Sequence, residues 1–379
     1  MKIVFLGCTN NFGFGFGAVN TKVNFMCKGL QSAGASCVVH NGIIGLNKLE
    51  HDSNIKYDNI EVTSLKQLRY PNITFLFNLP KLYKFLKKEK VKNEKNIAIL
   101  EYNYFHIFLL YVILLRIFGY QIVDISHEWL PTIHSRTKFQ KYSKLIFAKY
   151  FGYLVDAILP ISEYIIRKIK HFDKPYFKLP IMANFDDTFV SHFTGEKKFV
   201  YCASLDYYRI VQMIVNSYSV YILNGGSIKM VFILNGTINK IEQIKEYIDA
   251  KHLSSLIEIK TILPFKDLLN EFRNAAGLII PLDPHYEQDE ARFSQKIAEY
   301  LSSKSPIITT NVGEIKYYFD SSNVVLCEFS ESGFADAFKW IELNPMEASN
   351  IGIRGYEKGR NTFNYKNLGL EMYEFFKLL

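Results

Sequence analysis

Residues 291–319 read ARFSQKIAEYLSSKSPIITTNVGEIKYYF, and the order of elements in this stretch decides the fold. QKIAEYLSS has helical spacing, SPIITTN is a strand-like apolar run, and the run closes at Val312, Gly313 and Glu314. A helix feeding an apolar strand predicts a parallel sheet covered on both faces. Lys296 and Glu299 stand three apart near the head of that helix and share one face. A carboxylate near a helix start accepts two hydrogen bonds from a vicinal diol such as a ribose, and a lysine with neighbouring amides suits a diphosphate. The same two side chains also read as an ordinary surface ion pair.

Outward from this stretch, apolar runs alternate with helix-like segments almost throughout. KIVFLG, CVVH, NITFLFN, NIAILEY, QIVDIS and DAILPIS occupy the first half; KFVYCAS, KMVFILNG, LIEIKTI, AGLIIPL, SPIITTN and NVVLCEF occupy the second. Two such sets exceed one ordinary sheet and predict two doubly wound α/β domains. NFDDTFVSHFTGEKK, residues 184–198, is the expected linker. Ligands in such folds bind beyond the carboxyl ends of the strands, so a cleft between the domains is the expected site.

The N-terminal stretch MKIVFLGCTNNFGFGFGAVN places Gly13, Gly15 and Gly17 straight after the first strand. A dinucleotide fingerprint needs G-x-G-x-x-G and an acidic residue about 20 positions on. Here the spacing is G-x-G-x-G, and the next strand ends in His40 and Asn41. No Gly-Lys-Ser/Thr follows, which excludes a Walker loop as well. What remains is either a chain-reversing turn or a backbone that must come close to a ligand.

The 379 residues suffice for about two to three domains. Net charge +8 favours an anionic partner such as nucleotide phosphate or a membrane face, while the scattered basic residues and the lack of a recognition motif speak against nucleic acid. Cys8, Cys27, Cys37, Cys202 and Cys327 are dispersed and odd in number, which predicts free thiols in a reducing compartment and no zinc site. MKIVFLG runs into glycines, so no signal peptide is expected and the protein is expected in the cytoplasm, at or near the inner face of the membrane. FHIFLLYVILLRIFG, residues 105–119, is too short to span and carries Arg116, which predicts a buried helix. Seven lysines between Lys81 and Lys95 read as a solvated helix face or as a basic surface for anionic lipid.

The stretch 291–319, preceded by AGLIIPL, resembles the donor-binding segment of retaining GT-B-fold glycosyltransferases of the family 4 type, where PTKLFEYMA-GKPVIA-VGE follows a strand ending in PL. Further segments agree in order: FVYCASLDYYRI with VGRL…KG, VFILNG with a strand ending in glycine, and TILPFKDLLNEFRNAAGLIIPL with GFVP-EEL-LY-AADV-LP. In the first half VDISHEWLP looks like D-HE and VDAILPISEYI like AD-II-VSE. The final YEKGRNTFNYKNLGLEMYEFF resembles the helix that returns to the N-terminal domain. The resemblance implies two Rossmann-like domains facing a central cleft: an acceptor-side domain over 1–190, a nucleotide-sugar domain over 191–355 and a returning helix over 356–379.

It further implies a donor site at Gly15, Gly17, Gly236, Leu263, Ser294, Lys296 and Glu299, with Glu299 on the ribose. Arg209, Lys296 and His127 carry the implied catalytic roles: the two cations on the leaving diphosphate, without a metal, and His127 toward sugar or acceptor. His127 is expected to line one groove with Glu299 and Arg209, over the Gly13–Gly17 loop; its alternative is a structural capping histidine. His106, His134 and His285 are expected at surfaces. The sequence departs from the pattern at Ala291, where the first glutamate of E-x7-E would stand, at Ser204 and Ala203 in place of the arginine and glycine of VGRL, and at Arg209 in place of lysine. Glu290 and Asp289 are the adjacent carboxylates able to substitute for the missing one. The implied activity is hexosyl or N-acetylhexosaminyl transfer from a nucleotide sugar to a glycan, with a lipid-linked saccharide of a bacterial surface polysaccharide as expected acceptor. A nucleotide-sugar epimerase and a non-catalytic nucleotide-sugar-binding protein are the alternatives.

Overall fold

A computed structural model describes residues 1–379 apart from 8–11, 14–16, 43–48, 69–70, 102–104, 136, 187–196 and 262. The chain gathers into two compact units: Met1–Ala183 with Ala291–Gln295 and Phe363–Leu379, and Asn184–Glu290 with Lys296–Thr362. Most of the expected linker and Gly15 lie outside the described residues.

Unit one contains β1 (Lys2–Leu6), α1 (Ala18–Ser32), β2 (Ser36–His40), β3 (Ser53–Tyr57), β4 (Ile60–Ser64), α2 (Pro71–Glu89), β5 (Asn96–Leu100), α3 (Phe105–Ile117), β6 (Gln121–Ser126), α4 (Lys138–Leu154), β7 (Ala157–Pro160) and α5 (Glu163–Ile169). The chain continues through β8 (Lys198–Ser204), α6 (Tyr208–Leu223), β9 (Met230–Asn235), α7 (Ile238–Ala250), β10 (Ile257–Lys260), α8 (Phe265–Arg273), β11 (Ala275–Ile280), α9 (Glu287–Ala291), α10 (Gln295–Ser302), β12 (Ile307–Thr309), α11 (Ile315–Tyr318), β13 (Val325–Leu326), α12 (Glu331–Leu343) and α13 (Pro345–Thr362). It ends in α14 (Tyr365–Leu378).

The first sheet has the order β3-β4-β2-β1-β5-β6-β7, parallel except for the β3–β4 hairpin at its edge. The second has the order β10-β9-β8-β11-β12-β13, parallel throughout. This is the doubly wound nucleotide-binding order, whose reversal point falls between β8 and β11. Central strands such as Asn96–Leu100 and Ala275–Ile280 are buried along their whole length, which is why they read as unbroken apolar runs.

Helix α14 packs on α1 through Gly29 and Gly369, where a Cβ on either glycine would lie 2.3 Å from backbone of the other helix. Only hydrogen in place of a side chain lets the two backbones approach that far.

Two elements differ from the sequence reading. NITFLFN is not a strand but the start of the 19-residue helix α2, with Pro71 as its first residue. A continuous apolar run carries no period of its own, and Pro at the first helical position suits a helix start. The hairpin β3–β4 went unforeseen. Its strands SNIKY and IEVTS alternate in exposure, as edge strands do, and its turn residues Asp58 and Asn59 both have positive φ.

Candidate functional site

In the second unit the reversal point gathers the expected residues. Cys202 lies near the carboxyl end of β8, and its carbonyl accepts a hydrogen bond from Lys296 Nζ at 2.6 Å. Arg209, in the first turn of α6, holds its Nη2 3.5 Å from Asp283 Oδ2 just beyond β11, and its side chain is 86% exposed. Two cations therefore stand over the carboxyl ends of the strands that flank the reversal, each with a modest partner. An incoming diphosphate can compete for both cations, with the Cys202 carbonyl at Lys296 and with the 3.5 Å carboxylate at Arg209.

The loop that carries Asp283 is fixed from behind. Asp283 N–H donates to Asp289 Oδ2 at 2.8 Å, and Asp283 Oδ1 accepts from His285 N–H at 2.9 Å. Thr310 Oγ1 donates to the Leu282 carbonyl at 2.6 Å and accepts from Leu282 N–H at 3.2 Å, tying the ends of β11 and β12 together. Gly313 has φ +60°, and a Cβ there would sit 2.5 Å from the Asp289 carbonyl oxygen. The glycine of VGE is therefore needed for chain packing.

Glu299 lies one turn after Lys296 on α10. Burial pushes its carboxyl up to about 7, with Lys296 drawing it partly back. A diol that donates two hydrogen bonds favours the ionised form, so ligand and proton compete for this group near neutrality. Burial likewise raises the Cys202 thiol, which makes it an unreactive packing group.

The other expected residues take the following places. Gly236 follows β9, and a Cβ there would meet Leu205 Cβ at 2.8 Å, so it serves packing against the β8 loop. Leu263 is half-buried, and Ser294 is half-buried in the five-residue stretch that belongs to unit one. That stretch is held by Ser162 Oγ donating to the Ala291 carbonyl at 2.6 Å and by Gln295 bonding both backbone groups of Met182. Ala291 is fully buried, a packed methyl where the resemblance would place a carboxylate. Glu290 is ion-paired with Lys316 at 2.9 Å, and Asp289 is buried against the Asp283 loop. Ser204 accepts from Asp206 N–H at 3.2 Å, a local cap in place of the arginine.

In the first unit, Gly17 is the exposed N-cap of α1, with no atom within 4 Å of where a Cβ would stand. The described part of the glycine loop is anchored by Asn41. Its Oδ1 accepts from Phe12 N–H at 3.2 Å, while its Nδ2 donates to the Phe12 carbonyl at 2.8 Å and to Ser64 Oγ at 2.7 Å. His127 follows β6 directly, 11% exposed, with Nε2 3.8 Å from Glu101 Oε2 beyond β5. That separation is too long for a hydrogen bond, and neither atom has a partner among the described residues.

Burial holds the His127 imidazole well below its usual value, helped by the charge of Lys22. It also pushes the Glu101 carboxyl well up, opposed by Lys22 and assisted by Asp124 and Glu128. Asp124 is raised to about 7 by burial, against the pull of its 2.6 Å hydrogen bond from Ser126 Oγ. Lys22, bonded to the Leu179 carbonyl at 3.1 Å, is lowered to about 7 by burial against the pull of Glu101. Four titratable groups near their neutral forms thus gather at the strand ends of unit one. Sequence reading found only His127 among them. The available signal was an acidic residue directly after, or inside, an apolar strand: NIAILE and QIVD. His106, His134 and His285 are all exposed, as expected.

No family model and no curated protein sequence matches this chain. Solved structures do match. Sucrose-phosphate synthase from Thermosynechococcus elongatus superposes with a TM-score of 0.76 at 13% identity, over 100% of this chain and 98% of that one. HepE from Anabaena in complex with UDP-glucose gives 0.74 at 10% identity over 100% of both chains. A glycosyltransferase from Rickettsia africae gives 0.73 at 13% identity over 99% and 98%. The chain has the GT-B fold, with two parallel-sheet α/β domains.

Proposed function

We propose that this protein is a retaining glycosyltransferase that moves a hexose or N-acetylhexosamine from a nucleotide-diphosphate sugar to a lipid-linked saccharide in bacterial surface polysaccharide synthesis. The observation that carries the reading is the pair of cations, Arg209 and Lys296, with the titratable Glu299, at the reversal point of the second sheet. Support comes also from HepE, which shares the fold and whose structures hold UDP and UDP-glucose.

In this proposal Glu299 accepts the ribose hydroxyls, while Lys296 exchanges the Cys202 carbonyl for a phosphate oxygen. As the glycosidic bond breaks, the leaving diphosphate gains negative charge, and Arg209 and Lys296 stabilise it without a divalent cation. Retention follows from attack on the face the diphosphate leaves, with a phosphate oxygen taking the acceptor proton. A neutral His127 positions a sugar or acceptor hydroxyl through Nε2.

Thermal stabilisation by UDP-, GDP- and dTDP-sugars tests the donor assignment, since a ligand at 100 times its Kd adds about 2.7 kcal/mol. Product analysis then separates the readings. Transfer to an acceptor with the anomeric configuration kept supports the proposal; an epimer formed from donor alone makes the protein an epimerase. Stabilisation without any product leaves a binding protein, and no response to any nucleotide sugar sinks the reading.

A further inference from the structure

Helix α4 turns the usual pattern of a surface helix around. Its inner face buries Ser143, Phe147, Ala148, Phe151 and Gly152. Its outer face nevertheless exposes Phe139, Tyr142, Leu145, Ile146, Tyr150 and Tyr153, with Phe139 at 67% and Tyr142 at 63%. Large apolar side chains gathered on the exposed face of a helix are ordinarily covered by something. Between these side chains stand exposed Lys138, Lys141 and Lys149, and the helix has no Asp or Glu in its 17 residues. Lys149 Nζ lies 5.1 Å over the Tyr150 ring. The fourth lysine, Lys144, is turned away to the carbonyls of Ile133 and His134 at 3.1 and 3.0 Å. Two lysines also sit in the first turn, where the helix dipole disfavours cations unless negative charge is near.

We propose that the outer face of α4 docks on an anionic lipid bilayer. Tyrosine and phenylalanine rings suit the headgroup boundary, where their apolar bodies sink and hydroxyls stay wet, and lysine stems snorkel to lipid phosphates. A second copy of this chain is a poor occupant, since a two-fold contact would set the same three lysines against each other with no acid on the helix. The lysine run of α2 is the weaker docking surface. On α2 Lys81 is paired with Asp52 at 2.7 Å and Lys88 with Glu89 at 3.4 Å, and just past its end Lys90 and Lys95 hydrogen-bond backbone carbonyls within unit one. The inference deepens the lipid-linked acceptor reading by giving the membrane contact a place, yet it needs no donor chemistry.

The test is sedimentation of the full chain with phosphatidylglycerol-containing vesicles and with pure phosphatidylcholine vesicles. The protein is expected to bind the anionic vesicles, to lose binding in high salt, and to bind the zwitterionic ones little. The triple variant Lys138→Glu, Lys141→Glu, Lys149→Glu is expected to bind roughly 100-fold more weakly, about fivefold per lysine removed. Phe139→Ser with Tyr142→Ser and Ile146→Ser should bind at least tenfold more weakly, whereas Lys84→Glu with Lys87→Glu should bind within about threefold of the parent. Unchanged melting temperatures and UDP-sugar stabilisation keep the variants interpretable and separate this result from any failure of the transferase reading. Absence of vesicle binding, loss of binding through the α2 variant alone, or a dimer dissolved by the α4 variants would each overturn the proposal.

Discussion

At the end of β6, His127 is 11% exposed and has no hydrogen-bond partner at Nε2 among the described residues; in the first turn of α6, Arg209 is 86% exposed and rests 3.5 Å from a carboxylate. The carboxyl ends of the strands are prepared for different chemistry in the two units. Unit one buries Lys22, Glu101, Asp124 and His127 together, and burial drives each toward its neutral form. In unit two Arg209 is exposed and Lys296 is half-buried, each with a partner that a diphosphate can replace, which suits an anion that arrives and leaves. Neutral buried groups suit hydrogen bonding to uncharged hydroxyls, where a full charge would be costly.

The comparison breaks most readily at the cations. Arg209→Ala or Lys296→Ala should lower kcat about 10²–10³-fold, more than KM for the donor rises, because diphosphate charge is greatest in the transition state. A change in KM alone would make both residues binders only, and unit two a site for ground-state recognition.

A smaller loss is expected in unit one. His127→Ala should reduce transfer about 10²-fold while UDP binding by calorimetry stays unchanged, since the nucleotide groups are assigned to unit two. Equal losses in transfer and UDP affinity would erase the proposed division of labour.

Glu299→Ala should cost about 1.5–3 kcal/mol of donor affinity, the value of hydrogen bonds to a charged acceptor. In the parent protein, donor affinity should rise with pH through about 7, as the carboxyl ionises. A flat pH profile and an unaltered Kd in the variant would remove Glu299 from the ribose.

The smallest effects are on stability, and they run in opposite directions. The folded state keeps a proton on Glu299 between 4.5 and about 7 that the unfolded chain has released, so Glu299 lowers stability as pH rises through that window. Lys22 has lost its proton in the folded state between about 7 and 10.5 while the unfolded chain retains it, so its contribution rises with pH there. In melting temperatures followed against pH, Glu299→Gln should flatten the first slope and Lys22→Met the second. If neither slope changes, burial is not what perturbs these groups.

Much of this was legible residue by residue. Parallel strands covered on both faces must be apolar along their length, so KIVFL, NIAIL, MVFILN and AAGLII announced the two sheets. Lys296 and Glu299 were placed by helical spacing alone, which needs no tertiary information. NITFLFN misled because an apolar run fits helix and strand alike, and the β3–β4 hairpin was hidden because its polar alternation resembles a loop.

What the sequence by itself determined is therefore periodic or local: two α/β units and the α10 helix face. Only the tertiary structure decided which strand ends meet. Lys22, Glu101, Asp124 and His127 come from α1, β5 and β6 and become one titratable cluster only when β1, β5 and β6 pair side by side. Their protonation is equally a property of the folded state, since burial, absent from an unfolded chain, moves each of them from its usual value. The outward face of α4 belongs to the same category. Its composition is plain in the sequence, but which of its two apolar faces meets the core is settled by packing against α3, through Phe108 on Phe147 at 4.9 Å.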